Sequence, residues 1–197
     1  MQIDIIEHEP PYRVGVIVGS LSRESINRRL AMALTRLAPP EFEMEELSYS
    51  DLPVYNRDFD ADYPPSALDF KAAIAAVDAL LFVTPEYNRS IPGALKNAID
   101  WGSRPWGQNV WAHKPAAVIG ASTGQIGTAV AQQSLRATLS FLNMRQMSAP
   151  EAYIRFTEGL IDDVGNVSVP ETQEFLRGFL AEFLEFTMRV LTVVPRS

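Results

Sequence analysis

The chain has 197 residues, 47% of them apolar and 21% charged, a balance that suits one domain able to bury a full core without staples. It contains no cysteine, which excludes disulfides, thiolate-bound zinc, iron–sulfur clusters and thiol catalysis. Its formal charge of −7 weighs against general nucleic-acid binding, which needs a basic footprint. No apolar run approaches the roughly 20 residues of a bilayer span. Residues 1–10 lack the basic start and long apolar core of a signal peptide, so the expectation is a cytoplasmic protein that does not engage a membrane.

After that short leader, residues 13–19 read as a β-branched strand buried on both faces. A polar loop over 20–25 leads into a helix over 26–37, with Ile26, Leu30, Leu34 and Leu37 on one side and Pro39-Pro40 as its stop. A weaker second strand spans 42–47. Residues 49–65, rich in Asp, Pro and Tyr, form a long ordered loop or lid. Ser66 is placed as the N-cap of a helix over 67–77. The third strand, 79–84, stops at Pro85; a polar loop follows, and Pro92-Gly93 open an amphipathic helix ending near Trp101-Gly102. Trp101, Trp106 and Trp111 cluster around the next loop. Residues 115–121 give a fourth strand, 122–127 a small-residue loop and 128–142 a helix. A fifth strand over 147–154 is interrupted or edge-like at Pro150. Residues 162–166 form a turn, and 170–193 form a closing helix with a wide apolar face.

This alternation predicts a single α/β domain over 1–197. Its sheet is parallel and five-stranded, with helices on both faces and right-handed crossovers. Five strands favour the flavodoxin-like order 2-1-3-4-5, a three-layer sandwich. The switch point then falls between the first and third strands, so the loops after residues 19 and 84 face one another across a crevice.

Three loops carry the chemistry. The first offers the hydroxyls of Ser20, Ser22 and Ser25, the Arg23 guanidinium, the Asn27 amide and the open N–H groups of a helix start at Ile26. A phosphate is matched by such a set, although serine and asparagine in this pattern also simply cap helices. Neither a P-loop motif nor G-x-G-x-x-G is present. The second loop is Pro85-Glu86-Tyr87-Asn88-Arg89-Ser90. Its backbone suits the edge of a flat heterocycle and Tyr87 suits its face, while Glu86 reads first as a helix-start charge or a solvated side chain. In the third, Ser122, Thr123 and Gly124 allow close backbone approach, and the following helix start offers N–H groups to a negatively charged ring. The two histidines, His8 and His113, have no partners at ligand spacing, so no metal is expected.

Taken together, Gly19-Ser20-Leu21 through Ser25-Ile26-Asn27, Thr84-Pro85-Glu86-Tyr87-Asn88 through Asp100-Trp101, and Gly120 to Gly124 resemble the NADPH-dependent FMN reductase family of the flavodoxin-like superfamily. The resemblance implies a phosphate site at Ser20, Ser25, Ile26 and Asn27. It also implies ring and ribityl contacts at Pro85, Glu86, Tyr87 and Asn88, and further ring-side contacts at Ser122, Thr123 and Gly124. Many members carry arginine directly after Gly-Ser-Leu; here that position is Ser22 and the arginine is Arg23.

The function implied is an FMN enzyme that takes a hydride from NADH or NADPH. It passes electrons to quinones, free flavin or a similar small acceptor by a ping-pong route, as a homodimer or homotetramer. The alternative is a flavodoxin-like electron carrier without NAD(P)H turnover. No catalytic side chain is required, because the flavin carries the chemistry.

Overall fold

The apolar runs over 14–18, 79–83 and 115–121 form the centre of one sheet because each is buried on both faces. In the computed structural model, which describes residues 9–193, the four longer strands β1 (Tyr12–Val18), β2 (Phe42–Glu46), β3 (Ala79–Val83) and β4 (Pro115–Ser122) pair in parallel in the order β2-β1-β3-β4. β5 (Arg145–Gln146) and β6 (Ala152–Arg155) both pair with β4. The expected order 2-1-3-4-5 is the observed one. The interruption expected at Pro150 is present, and the bounds of the fifth strand change from 147–154 to 145–146 and 152–155. The chain pairs over β5, leaves the ladder and re-enters it at β6, because Pro150 has no N–H to donate. The leader and His8 lie outside the described residues.

Alternate strand residues point to opposite layers. Val14, Val16, Val18, Leu81 and Ile119 join one core with α1 (Ile26–Leu37) and α5 (Pro170–Val193). Ile17, Leu80, Phe82 and Val118 join the other with α2 (Pro65–Ala76), α3 (Gly93–Ser103) and α4 (Ala129–Phe141). Ser66 is not the cap of α2. Pro64 holds that position with no side-chain bond, and Pro65 occupies the first turn, where its missing N–H leaves nothing unpaired. The 49–65 segment contains one short 3₁₀ turn, Arg57–Ala61.

The register matters for function. Val18 lies opposite Val83, and Val83 opposite Ile119, so β1 and β3 end level while β4 runs three residues further, to Ser122, beside β6. Two bonds extend the ladder past the strand ends: Gly19 N–H to Val83 O at 2.8 Å and Thr84 N–H to Ile119 O at 3.0 Å. Gly19 and Gly120 permit this closeness. A Cβ on Gly19 would stand 2.9 Å from Thr84 Oγ1, and one on Gly120 would fall well inside contact distance of the Thr84 carbonyl. All three predicted loops therefore leave one edge of the sheet.

Candidate active site

The first loop is built around the start of α1. Ser25 is its N-cap, and its Oγ accepts the Arg28 N–H at 3.2 Å. The N–H groups of Ile26 and Asn27 have no acceptor among the described residues, as expected for an open helix start. Ser20 is buried, and its Oγ accepts the Ser22 N–H at 3.3 Å. Ser22 and Arg23 are exposed on the outside of the turn.

Arg28, which sequence reasoning missed, braces this turn from within. Its Nη1 donates to Ser22 O at 3.0 Å and its Nη2 to Ser20 O at 3.4 Å, while Glu46 at the end of β2 holds Nη2 at 3.0 Å. Only the fold brings Glu46 there, so no local signal marks Arg28.

Asn27 is placed differently from a ligand contact through its amide. The side chain is buried, its Nδ2 donates to Ala121 O and its Oδ1 accepts the Ala121 N–H, both at 2.9 Å. It ties the start of α1 to the end of β4.

In the second loop, Tyr87 and Ser90 exchange backbone bonds at 2.9 and 3.0 Å around Asn88 and Arg89, with φ of 52° and 64°. Two positive φ values define the tight turn that favours Asn-Gly. Arginine in the second place carries steric strain of about 1 kcal/mol. The turn holds Tyr87 half exposed at the rim.

Glu86 is a helix-start charge, though for a different helix from the one that follows it in sequence. Its Oε2 accepts the N–H groups of Val130 and Ala131, each at 3.1 Å, at the start of α4. Its Oε1 pairs with Arg89 at 3.2 Å. The expectation that α4 offers open N–H groups to a negatively charged ring is thereby corrected: the Glu86 carboxylate already fills them. In the third loop, Ser122 Oγ accepts the Gly124 N–H at 3.1 Å and Ser122 O accepts the Phe156 N–H at 2.8 Å. Thr123, Gly124 and Gln125 are exposed.

The 49–65 segment is pinned rather than hinged. Tyr49 Oη donates to Val18 O at 2.7 Å, just before the first loop. Asn97 accepts the Tyr55 N–H and donates to Pro53 O, both at 2.8 Å. Trp101 Nε1 also donates to Pro53 O, at 2.7 Å. The Trp101 ring is surrounded by Tyr55, Phe59 and Tyr63 with centroids 4.9–5.8 Å away. Tyr63 Oη reaches Trp101 O and Arg104 O. Burial raises the Tyr49 and Tyr63 phenols well above the usual tyrosine range, which keeps both as hydrogen-bond donors. Lys71, lowered by burial, donates to Arg104 O and Gln108 O and stands over Tyr63. Trp101 and Trp111 are thus core, and Trp106 alone of the three is open, at 82% exposure.

The rim therefore gathers Ser20, Ser25, Ile26 and Asn27 with Pro85 to Asn88 and Ser122 to Gly124, cross-linked by Asn27 and Glu86. A groove of about 570 Å³ lies elsewhere, between α3 and α4, lined by Tyr55, Asp100, Arg104, Thr138 and Phe141 among others. None of the rim residues lines it. Among the described residues no group of three His, Cys, Asp or Glu side chains is placed to hold a metal ion. No described helix is long and apolar enough to cross a membrane.

The sequence pattern of the NADPH-dependent FMN reductase family matches residues 12–159. The chain belongs to this family, as the resemblance of its three loops implies, and its class is that of the FMN-containing, NAD(P)H-dependent oxidoreductases with a flavodoxin-like fold. It is 49% identical over 171 residues to a 2-hydroxy-1,4-benzoquinone reductase of a Burkholderia species, covering 87% of this chain and 93% of that one. It is 49% identical over 173 residues to a quinone reductase of Pseudomonas putida, covering 87% and 92%. The solved structure of the flavoenzyme NAD(P)H:(acceptor) oxidoreductase FerB from Paracoccus denitrificans superposes with a TM-score of 0.87 at 46% identity, covering 90% of this chain and 98% of that one.

Proposed function

We propose that FMN lies across the three loops with its phosphate at α1 and its ring between the second and third loops, and that quinones are the acceptors. One contrast carries the placement. The start of α1 is open at Ile26 and Asn27, whereas the start of α4 is already occupied by a carboxylate. An anion is therefore favoured at α1 and disfavoured at α4. The hydroxyls of Ser20 and Ser25 lie at the same place. Ser22 and Arg23 flank it from outside, where Arg23 supplies positive charge to the approach. The loop Pro85 to Asn88 and the loop Ser122 to Gly124 rise from neighbouring strands at one edge of the sheet, and the slot between them suits a flat ring.

When bound, FMN supplies a ring that accepts a hydride from NADH or NADPH and returns electrons to a second substrate. The chain's own residues hold and orient. Arg28 keeps the first turn closed, the Tyr87–Ser90 turn fixes the aromatic rim, and the pinned 49–65 segment supports the sheet edge below Val18. No side chain is needed as nucleophile or acid. The quinone reductases among the relatives support the choice of acceptor. The test is direct. Purified protein is expected to be yellow, to bleach on adding NAD(P)H without air, and to recover its colour with a benzoquinone. Colourless protein that takes up no FMN would remove the placement; bleaching without recovery would remove the acceptor.

We also propose a cytoplasmic homodimer or homotetramer, with the α3–α4 groove inside its interface. Phe141 and Trp106, each 82% exposed, stand at that groove and an adjoining one of about 340 Å³. Large apolar side chains this open commonly mark contacts between chains. Phe141→Asp is expected to lower the assembly's mass in light scattering; an unchanged mass overturns this interface.

A further inference from the structure

Glu86 occupies a position that holding the loops together does not fully explain. It lies between Pro85 and Tyr87, its side chain is 9% exposed, and its cationic partner among the described residues, Arg89, is 70% exposed and screened by water. A helix start carries roughly half a positive charge, so a full carboxylate there leaves a net negative site. Two oxygens are occupied by three donors, which fixes that charge in place behind the third loop.

We propose that Glu86 is a positioning residue that also sets how readily the bound flavin takes up electrons, keeping it a strong reductant. The inference rests on the ring lying between the second and third loops. Hydride transfer from NAD(P)H brings two electrons and one proton, releases NAD(P)⁺ and leaves the ring one negative charge richer. The Glu86 carboxylate opposes that added charge, and by occupying α4 it withholds the N–H groups that would otherwise favour it. When a quinone takes two electrons and two protons, the second proton from water, the charge leaves the site. The arrangement thus favours handing electrons on over storing them.

The test uses holoenzyme equilibrated with a reference dye of known potential, reading reduced against oxidised flavin by absorbance. Glu86→Gln keeps an oxygen acceptor but removes the charge. It is expected to raise the reduced-to-oxidised ratio about tenfold, equivalent to about 30 mV for a two-electron couple. Glu86→Asp retains the charge with shorter reach and is expected to weaken FMN binding while holding the ratio near that of the parent. Arg89→Met removes the counter-charge and is expected to move the ratio the other way, by about twofold to threefold, as a screened surface partner would.

A purely structural anchor would loosen FMN in both redox states alike, so an unchanged ratio in Glu86→Gln overturns the proposal. If that variant holds no FMN, the Arg89→Met ratio decides, and no movement there overturns it. Parent protein that binds no FMN would instead overturn the placement on which the proposal rests.

Discussion

Gly120→Ala is expected to destabilise the chain by about 3 kcal/mol or more and to abolish FMN retention. Position 120 is in β4 between two ladders: Gly120 is registered with Tyr153 of β6, and the preceding Ile119 with Val83 of β3. A methyl group there meets the Thr84 backbone carbonyl and Thr128 Oγ1 inside contact distance. The Thr84 carbonyl cannot swing aside as a side chain would. Its residue is held by the bond from Thr84 N–H to Ile119 O at 3.0 Å, and its hydroxyl is engaged by Pro85 O at 2.9 Å. Relief requires β3 and β4 to separate at the edge where the second and third loops begin, so stability and binding fail together. Urea unfolding followed by flavin fluorescence checks both. The control is Gly178→Ala on α5, where a Cβ meets nothing within 4 Å. It is expected to stabilise by about 0.5–1 kcal/mol, because alanine is the better helix former. Equal behaviour of the two variants would refute the steric account.

Asn27→Leu is expected to come next in size. It keeps the volume of the side chain but leaves the Ala121 N–H and C=O unpaired in a buried site. Each buried orphan costs about 1–3 kcal/mol, so a loss of about 3 kcal/mol is expected. For a chain of this length that lowers Tm by roughly 6–12 °C. FMN affinity is expected to fall more than tenfold, because the start of α1 is then no longer held against the end of β4. Asn27→Asp separates the donor from the acceptor role. Ionised, it still accepts the Ala121 N–H but sets an oxygen against Ala121 O; protonated, it regains a donor. Burial raises its folded pKa above the unfolded value of about 3.9. The stabilising contribution is therefore present below that value and is lost as pH rises through the folded pKa. Thermal melts of the variant are expected to be higher at pH 5 than at pH 7.5 relative to the parent. A flat difference across that range would mean that the amide bridge does not hold these elements together.

Strand and helix identity was legible because it is local. Val14, Val16 and Val18 interleaved with Gly15 and Ile17, and the unbroken run Ala79–Val83, are apolar on both faces, which a buried parallel strand requires. The α5 limits fell where they were expected, at Pro170 and Val193. The three loops were legible as a set, since polar and small residues follow each of these strands. The last strand was only partly legible. Pro150 announced the break, but whether the chain re-enters the ladder depends on β4 having an edge free at Ile119 to Ser122.

Roles within the rim were less legible, for one reason. Residue type tells what a side chain can bind and not what it meets. Asn27, Glu86 and Arg28 each have a partner 94, 44–45 and 18 residues away. The sequence by itself determined the alternation of elements, the order of the sheet and the kind of ligand its loops suit, because periodicity, prolines and glycines act over a few residues. Only the tertiary structure decided that α1 is the open helix start and α4 the occupied one, because a carboxylate's partner depends on which distant N–H groups the packing of the sheet and its helices brings within 3.1 Å.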